Sequence, residues 1–289
     1  MTETKIEYKG TNVCTVTTHE IAAGWEQWVM LRSDAHHDSV HCDRKLEAQH
    51  VDRAKERNAY ILDAGDLFDA MQGKDDRRRS YDNLRPEYHT KDYFGEIVRD
   101  AAKFYAPYKD NWLLFGRGNH EQSVLQKVGI DLTSNITYAL KQEHGAQYAR
   151  AGGYGGYVRF VFHSHNKGLG SCNLKYFHGS GGGGVVTKSM INAQRQQGMY
   201  PDANIIWNGH YHEGWVHPQP VERLSDKGVV YTAIQWHIRT PGYKDEYGDG
   251  SDGWVVEGGG TPKPKGCAWV RFGYLDGRIT TEVYSQVVG

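Results

Sequence analysis

Short apolar runs, separated by charged or glycine-containing stretches, recur along the chain. Short apolar or β-branched runs are typical of buried strands, whereas apolar residues spaced three or four apart are typical of helices. The runs predict strands at 13–17, 28–31, 60–62, 112–115, 157–163, 174–177 and 205–207. The helical spacing predicts helices at 43–57, 93–105, 132–142 and 185–197.

The remainder of the chain is mostly β-structure and loops. Residues 1–24 are predicted to be a β-rich lead-in, 70–92 a charged insertion, and 237–265 a Gly/Pro-rich loop. A strand is predicted over 229–235, and a hairpin over 267–284 that turns at Asp276-Gly277. Strand–helix units followed by further strands predict an α/β sandwich with mixed sheets, and because no linker composition divides residues 1–289, we expect a single domain.

Acidic, amide and imidazole side chains follow five of the predicted strands. The segments are Asp34-Ala35-His36, Gly65-Asp66-Leu67-Phe68-Asp69, Gly118-Asn119-His120-Glu121, His178-Gly179 and Gly209-His210-Tyr211-His212. Because ligand sites in open α/β sheets lie outside the carboxyl ends of the strands, we expect these side chains to meet at one rim. Carboxylates, imidazoles and an amide oxygen, with no thiolate, suit Mn, Fe, Zn or Ni.

The spacing of these residues suits a pair of metal ions. Asp34 and His36, and likewise His210 and His212, stand two residues apart, so each pair can point to one side of an extended segment. An aspartate such as Asp66 can bridge two ions. Two ions about 3.5–4 Å apart can share a hydroxide and clamp a phosphoryl group. The glycines in front of these motifs permit tight turns and close approach.

The order DxH, GDxxD, GNHE, H and GHxH resembles the signature of the calcineurin-like metallophosphoesterases, and it spans residues 34–212. The resemblance implies a four-layer α/β/β/α sandwich with a dinuclear metal centre, for which Mn is the first expectation. It also implies hydrolysis of a phosphoester by a hydroxide that bridges the two metal ions. The implied ligands of one ion are Asp34, His36, Asp66 and His212, and those of the other are Asp66, Asn119, His178 and His210.

The resemblance also implies two catalytic residues that are not ligands. His120 would hydrogen-bond the substrate phosphate or protonate the leaving alkoxide, and the Asp69 carboxylate would orient His120. His178 is assigned by its place after a predicted strand and before a glycine, and His163 and His165 compete for that role.

Departures from the family pattern bear on the substrate. In the protein Ser/Thr phosphatases of this family an Arg follows the second Asp of GDxxD, where this chain has Ala70, and a Gly follows DxH, where it has His37. Gly116 to Glu121 is similar to the RGNHE segment of that branch, yet GDLFD looks more like the nuclease and diesterase side, and like phage and bacterial metallophosphoesterases. The expected substrate is therefore a phosphodiester, with nucleic acid among the candidates.

Two other functions remain open. The first is a phosphomonoesterase acting on a nucleotide or small phosphate. The second is a metal-binding scaffold that recruits a protein of unknown identity without catalysis. Serine or cysteine hydrolase chemistry is not supported, because no GxSxG segment or cysteine motif is present.

Composition and charge exclude some classes of protein. The chain has 34 Lys+Arg and 35 Asp+Glu, which argues against coating DNA or a membrane through bulk charge. Its 15 His are a surplus that the proposed site explains in part. The absence of a signal-peptide pattern, a long apolar span and paired cysteines predicts a cytoplasmic protein with no membrane segment and with free thiols.

Four further segments each allow two interpretations. Gly179–Gly184 can cradle a phosphate or simply provide room beside the metals. The basic run 77–79 can form a rim for a polyanion or a solvated loop. Tyr81, Tyr88 and Tyr93 can stack on bases or pack in the core. The loop at 237–265 can be a lid or a plain excursion.

Overall fold

The computed structural model describes residues 2–70, 84–165, 167–182, 187–245, 247–248, 250–251 and 254–288. The strands are β1 Glu3–Lys9, β2 Val13–His19, β3 Glu26–Arg32, β4 Tyr60–Asp63, β5 Trp112–Phe115, β6 Gly155–Ser164, β7 Lys167–Phe177, β8 Ile205–Asn208, β9 Trp215–Leu224, β10 Val230–Arg239, β11 Lys265–Leu275 and β12 Arg278–Val288. The helices are α1 Arg44–Glu56, α2 Tyr93–Tyr105, α3 Asn119–Val128, α4 Leu132–His144, α5 Met190–Met199 and α6 Trp254–Glu257.

The strands form two mixed sheets, as the sequence predicts. The larger sheet has the order β1-β2-β6-β7-β8-β10-β9, and the smaller has the order β12-β11-β3-β4-β5. In the larger sheet β7, β8 and β10 are parallel neighbours, and in the smaller sheet β3, β4 and β5 are parallel neighbours. Antiparallel hairpins join β1 to β2, β6 to β7, β9 to β10 and β11 to β12, while β2 lies parallel to β6 and β11 lies antiparallel to β3. Parallel neighbours end at the same edge of a sheet, so each sheet brings several loops to one rim.

Apolar side chains on alternate faces of β3 separate the layers. Val29 and Leu31 are fully buried between the two sheets, in a core that includes Phe160 of the larger sheet. Met30 points the other way and is buried in the core beneath α1, α2 and α4. On the outer face of the larger sheet, Gln196 of α5 accepts a hydrogen bond from Arg239 of β10 at 3.1 Å. The order of layers is therefore α/β/β/α, and the predicted fold class is confirmed.

Helix boundaries follow local capping signals. Asp43 caps α1, where its carboxylate accepts a hydrogen bond from the backbone N–H of Leu46 at 3.0 Å. Gly145, in the left-handed region at φ 71°, ends α4. These signals explain why the predicted helices at 43–57, 93–105 and 132–142 agree closely with α1, α2 and α4.

Three predicted boundaries are wrong. Residues 183–186 lie outside the described residues, and α5 begins at Met190 rather than at 185 because Lys188 and Ser189 have left-handed backbones that a helix cannot contain. The loop predicted from 237 begins at Thr240, since β10 continues in register beside β8 as far as Arg239. Strand β7 begins at Lys167, well before the predicted 174, as the antiparallel partner of β6. Helix α3 and strand β9 were not predicted.

Candidate metal centre

The predicted motifs lie at one rim of the sandwich. Each follows the carboxyl end of a strand: Asp34 follows β3, Asp66 follows β4, Asn119 follows β5, His178 follows β7 and His210 follows β8. The first two loops are joined by backbone hydrogen bonds: Asp34 N–H donates to Gly65 O at 2.9 Å, and His36 N–H donates to Asp66 O at 3.1 Å. The parallel pairing of β3 with β4 thus continues into the loops and fixes DxH beside GDxxD.

One group of potential ligands consists of Asp34, His36 and His212, which offer atoms within 4.8 Å of one another. The Nε2 atom of His212 lies 3.5 Å from Asp34 Oδ1. Asp34 and His36 are almost fully buried, yet Asp34 Oδ1 and both ring nitrogens of His36 have no hydrogen-bond partner. Buried polar atoms without partners are costly, so Asp34 Oδ1 and one nitrogen of His36 are suited to a ligand such as a cation.

A second group consists of Asp66, His178 and His210, again with atoms within 4.8 Å of one another. His178 Nε2 lies 3.1 Å from Asp66 Oδ2 and 3.0 Å from Asn119 Oδ1. Asp66 and His36 also form a group with His120, which connects the two sides. All seven predicted ligands therefore lie in one connected cluster with Asp66 near its middle.

Strained backbone is concentrated at these positions. Five of the seven predicted ligands have a left-handed φ: Asp34 at 53°, His36 at 47°, Asp66 at 55°, His210 at 70° and His212 at 52°. Such conformations cost about 1–3 kcal/mol each for non-glycine residues and persist only where the surroundings impose them. Their clustering at one rim is typical of a functional site, because nothing in strand pairing requires them.

Two glycines allow the loops to approach each other. A Cβ atom on Gly118 would lie 2.0 Å from Asp66 Oδ1, and one on Gly209 would lie 2.5 Å from Asp34 Oδ2. Neither clash could be relieved without moving a predicted ligand. The glycines of GNHE and GHxH are thus required for contact with the two aspartates, as the sequence predicts.

The Asp69 carboxylate does not contact His120, the partner that the sequence predicts for it. Asp69 does contact His120, but through its backbone oxygen, which lies 2.5 Å from His120 Nδ1. Its carboxylate oxygen Oδ1 lies instead 2.9 Å from His36 Nδ1 and 2.9 Å from Lys244 Nζ. The residue therefore contacts both a predicted ligand and the predicted acid, by different atoms.

Electrostatics favour ionised carboxylates at the site. Burial opposes ionisation of Asp34, yet the close contact and charge of His212 lower the pKa of Asp34 to about 2. Burial lowers the pKa of His36, which favours the neutral imidazole that binds metals. Burial would also lower the pKa of His178, but Asp66 raises it to about 9. Binding of a cation by His178 would release that proton.

Glu121 is a supporting residue to which the sequence motif assigned no role. One of its carboxylate oxygens accepts hydrogen bonds from the backbone N–H groups of Gly118 (2.9 Å) and Asp66 (3.1 Å), and the other accepts one from Phe68 (3.0 Å). Glu121 thereby ties the GDxxD loop to the first turn of α3. Asp38 supports the far end of the same loop, since it accepts hydrogen bonds from the backbone N–H groups of Asp69 and Ala70.

Glu121→Gln is expected to destabilise the folded chain by about 1–3 kcal/mol. An amide can accept at one of the two terminal positions only, so at least one buried N–H loses its partner. The measurement is the free energy of unfolding in denaturant, with exposed Glu143→Gln of α4 as the matched control. Equal stability of the two variants would contradict this role for Glu121.

Several alternatives from the sequence are now decided. His163 stacks on His19 at 4.9 Å and His165 pairs with exposed Glu20, whereas His178 lies in the cluster with Asp66 and His210. Tyr88 and Tyr93 are buried in the core, which excludes base stacking by these two side chains. Tyr81 and the basic run 77–79 lie outside the described residues.

The described part of the glycine run contacts GHxH. Gly181 O lies 3.0 Å from His210 Nε2, and Tyr211 Oη donates to Ser180 O at 2.8 Å. This segment therefore orients a predicted ligand, which favours the interpretation of a loop that needs room beside the metals over that of a phosphate cradle.

A further group of ligand-type side chains lies below the rim, where His37, Cys42 and Glu47 approach within 4.8 Å. Glu47 also pairs with the fully buried Arg32 at 2.8 Å, and Arg32 pairs with Asp63 at 2.9 Å. The guanidinium opposes a metal ion at this place, and burial raises the pKa of the Cys42 thiol well above its usual range. We interpret this group as a buried ion-pair network that supports β3 and β4.

The five motifs thus lie, in the expected order, at one rim of a two-sheet sandwich. The two mixed sheets and the α/β/β/α order of layers agree with the fold that the motif order implies. No family model matches the chain, and no curated protein matches it.

Three of the solved structures that are similar to it can be named. They are Vacuolar Protein Sorting 29 from Cryptosporidium parvum (11% identity, 91% of this chain and 100% of that chain, TM-score 0.39), a predicted phosphoesterase from Streptococcus pneumoniae (15%, 91% and 100%, 0.33) and Vps29 complexed with Zn²⁺ from Entamoeba histolytica (11%, 89% and 98%, 0.33). At these TM-scores the three structures support no conclusion about the site, so the assignment of the fold rests on motif order and sheet topology.

Two further findings concern helix length and the cysteines. Across the described ranges, no helix has the length and apolar character needed to cross a membrane. Cys14, Cys42, Cys172 and Cys267 are buried and free, which confirms the prediction of unpaired thiols.

Proposed function

We propose that this chain is a metal-dependent phosphoesterase that holds two divalent ions and hydrolyses a phosphodiester. The observation that carries the proposal is the connected cluster of seven oxygen and nitrogen donors, in two groups on either side of Asp66, with His120 beside it. The unpartnered atoms Asp34 Oδ1 and His36 Nε2 support a cation at the first group.

The donor set fits borderline divalent metals, with Mn as the first candidate and Fe, Zn and Ni as the others. In the proposed arrangement Asp34, His36, Asp66 and His212 hold one ion, and Asp66, Asn119, His178 and His210 hold the other. Two such ions supply Lewis-acid polarisation of the phosphoryl oxygens and lower the pKa of bound water. The protein supplies the fixed geometry, since buried and strained backbone holds most of these ligands in place.

His120 is placed to act on the leaving group. Its Nδ1 atom is fixed by Asp69 O, while Nε2 faces Asp66 Oδ2 at 3.8 Å, on the side of the ligand cluster. Burial lowers the pKa of His120, but the carboxylates of Asp66 and Asp69 outweigh burial and raise it. Two divalent ions would oppose that rise. Because Nδ1 contacts Asp69 O, Nε2 is the nitrogen from which His120 would donate a proton to the departing alkoxide.

The choice of a diester rests on charge. A phosphomonoester brings more negative charge than a diester and is commonly bound by arginine. Here Ala70 stands where the protein phosphatases have that Arg, and Arg117 of the RGNHE segment pairs with Asp131 at 2.6 Å. These features favour a diester, including nucleic acid, over a phosphoprotein. The free buried thiols support a reducing compartment such as the cytoplasm.

Chelation of divalent metals is expected to lower turnover by at least ~100-fold, and addition of Mn²⁺ is expected to restore it. The measurement uses aryl diester, aryl monoester, cyclic nucleotides, and single- and double-stranded DNA and RNA in parallel. The diester is expected to be hydrolysed fastest.

Each other outcome selects a different function. Faster hydrolysis of the aryl monoester would select the monoesterase alternative. Binding of two metal ions with no turnover of any substrate would select the scaffold. Undiminished turnover after chelation would overturn the metal mechanism.

A further inference from the structure

The segment after β10 packs directly under the DxH loop. Tyr243 is fully buried, and its backbone N–H donates to Asp34 O at 3.0 Å. A Cβ on Gly242 would lie 2.5 Å from the same oxygen, so the backbone of this segment is in close contact with Asp34. This part of the 237–265 stretch is therefore neither a lid nor a plain excursion, and it places the next residue, Lys244, beside the metal centre.

Lys244 is a buried lysine that contacts the GDxxD motif. Its Nζ lies 2.9 Å from Asp69 Oδ1, and the two side chains are only 3% and 5% exposed. The same carboxylate oxygen lies 2.9 Å from His36 Nδ1. A series of polar contacts thus runs from Lys244 through Asp69 to His36, a predicted metal ligand.

Each of these two contacts has a physical consequence. A buried carboxylate is stable only when a cation or hydrogen bonds compensate the loss of water, and Lys244 provides that cation for Asp69. A carboxylate facing His36 Nδ1 keeps the proton on that nitrogen and leaves the other nitrogen for a metal. Neither ring nitrogen of His36 has a hydrogen-bond partner, but Nδ1 has the Asp69 carboxylate 2.9 Å away, which leaves Nε2 for a metal.

We propose that Lys244 is a positioning residue of the metal centre, whose ammonium holds the Asp69 carboxylate so that Asp69 sets the tautomer and orientation of His36. The inference rests on the proposed function. It assigns the lysine to the first group of ligands, Asp34, His36 and His212, and gives it no direct contact with substrate.

Lys244→Met is expected to weaken Mn²⁺ binding by about 10–100-fold, as loss of a residue that orients a metal ligand typically does. The weakened ion should be one of two per chain, because His178 and His210 do not depend on Asp69. Calorimetric titration with Mn²⁺ measures both affinities. At saturating Mn²⁺ the KM for the aryl diester should match that of the wild type.

Two further variants separate positioning from a general structural role. Lys265→Met removes another largely buried lysine of the same region, which pairs with Asp245 at 2.8 Å, and it should leave both affinities unchanged. Asp69→Asn removes the charge that Lys244 compensates. Because both act through one contact, the double variant Lys244→Met/Asp69→Asn should bind Mn²⁺ no more weakly than Asp69→Asn alone. In Lys244→Met the Asp69 carboxylate is buried without its cation, which opposes folding; the double variant removes that charge.

Three results would overturn the inference while leaving the proposed function intact. They are unchanged Mn²⁺ affinity in Lys244→Met, additive losses in the double variant, and a raised KM with unchanged affinity, which would place the lysine on the substrate. A wild-type chain that binds no divalent ion would overturn the proposed function together with the inference.

Discussion

Asp66→Asn is expected to reduce turnover by at least ~10³-fold, which corresponds to about 4 kcal/mol of transition-state stabilisation. Asp66 lies between the two groups of ligands, so its loss weakens both ions at once. The amide oxygen of Asn can still accept the hydrogen bond that His120 N–H donates to Asp66 Oδ1 at 2.9 Å. The backbone of the GNHE turn should therefore stay in place, and the loss should be one of metal binding and chemistry.

The measurement combines kcat on the aryl diester with the number of Mn²⁺ ions bound per chain. The control is Asp110→Asn, which removes an exposed carboxylate ahead of β5 and should change neither quantity. If Asp66→Asn kept two tightly bound ions and normal turnover, Asp66 would not be a shared ligand, and the dinuclear arrangement would have to be abandoned.

His120→Ala is expected to lower kcat by about 10²–10⁴-fold while both ions remain bound. His120 contacts Asp69 O and faces Asp66, but it takes no place among the seven predicted ligands. If it protonates the leaving oxygen, the loss should be larger for an alkyl leaving group than for an aryl leaving group, which departs without protonation. The measurement is kcat for a paired series of alkyl and aryl diesters.

The control for this series is His163→Ala, because His163 stacks on His19 away from the ligand cluster. It should leave kcat unchanged for every ester. Two other results would contradict the assigned role of His120. One is a fall in bound Mn²⁺, which would make His120 a ligand. The other is an equal loss for alkyl and aryl esters, which would assign it to binding of the phosphate.

The ends of the strands and the positions of the motifs could be predicted from the sequence, because both depend on local rules. An apolar run followed by glycine and a polar residue marks the carboxyl end of a buried strand, as at Asp66 and His210. Helices with a clear apolar face and a cap, such as α1, were predicted almost to the residue. The boundary at α5 failed because two left-handed residues, Lys188 and Ser189, precede the helix, and no local pattern of apolar residues reveals them.

Partnerships between distant segments could not be predicted in the same way. Motif order implied that the Asp69 carboxylate serves His120, yet the folded chain directs it to His36 and presents only its backbone oxygen to His120. Glu121 belongs to a predicted motif, but its role depends on backbone N–H groups of another loop. Lys244 lies in a stretch that reads as a loop, and its burial beside Asp69 depends on where β10 ends.

By itself the sequence determined the fold class, the rim at which the site lies, and the residue types that line it. These follow from hydrophobic periodicity and from the tendency of parallel strands to end together. The tertiary structure alone decided which atoms face one another: the left-handed backbone at five predicted ligands, the three atoms without hydrogen-bond partners at Asp34 and His36, and the contact from Lys244 to His36 through Asp69. Such details depend on contacts between segments far apart in the chain, and those contacts form only when both sheets have packed.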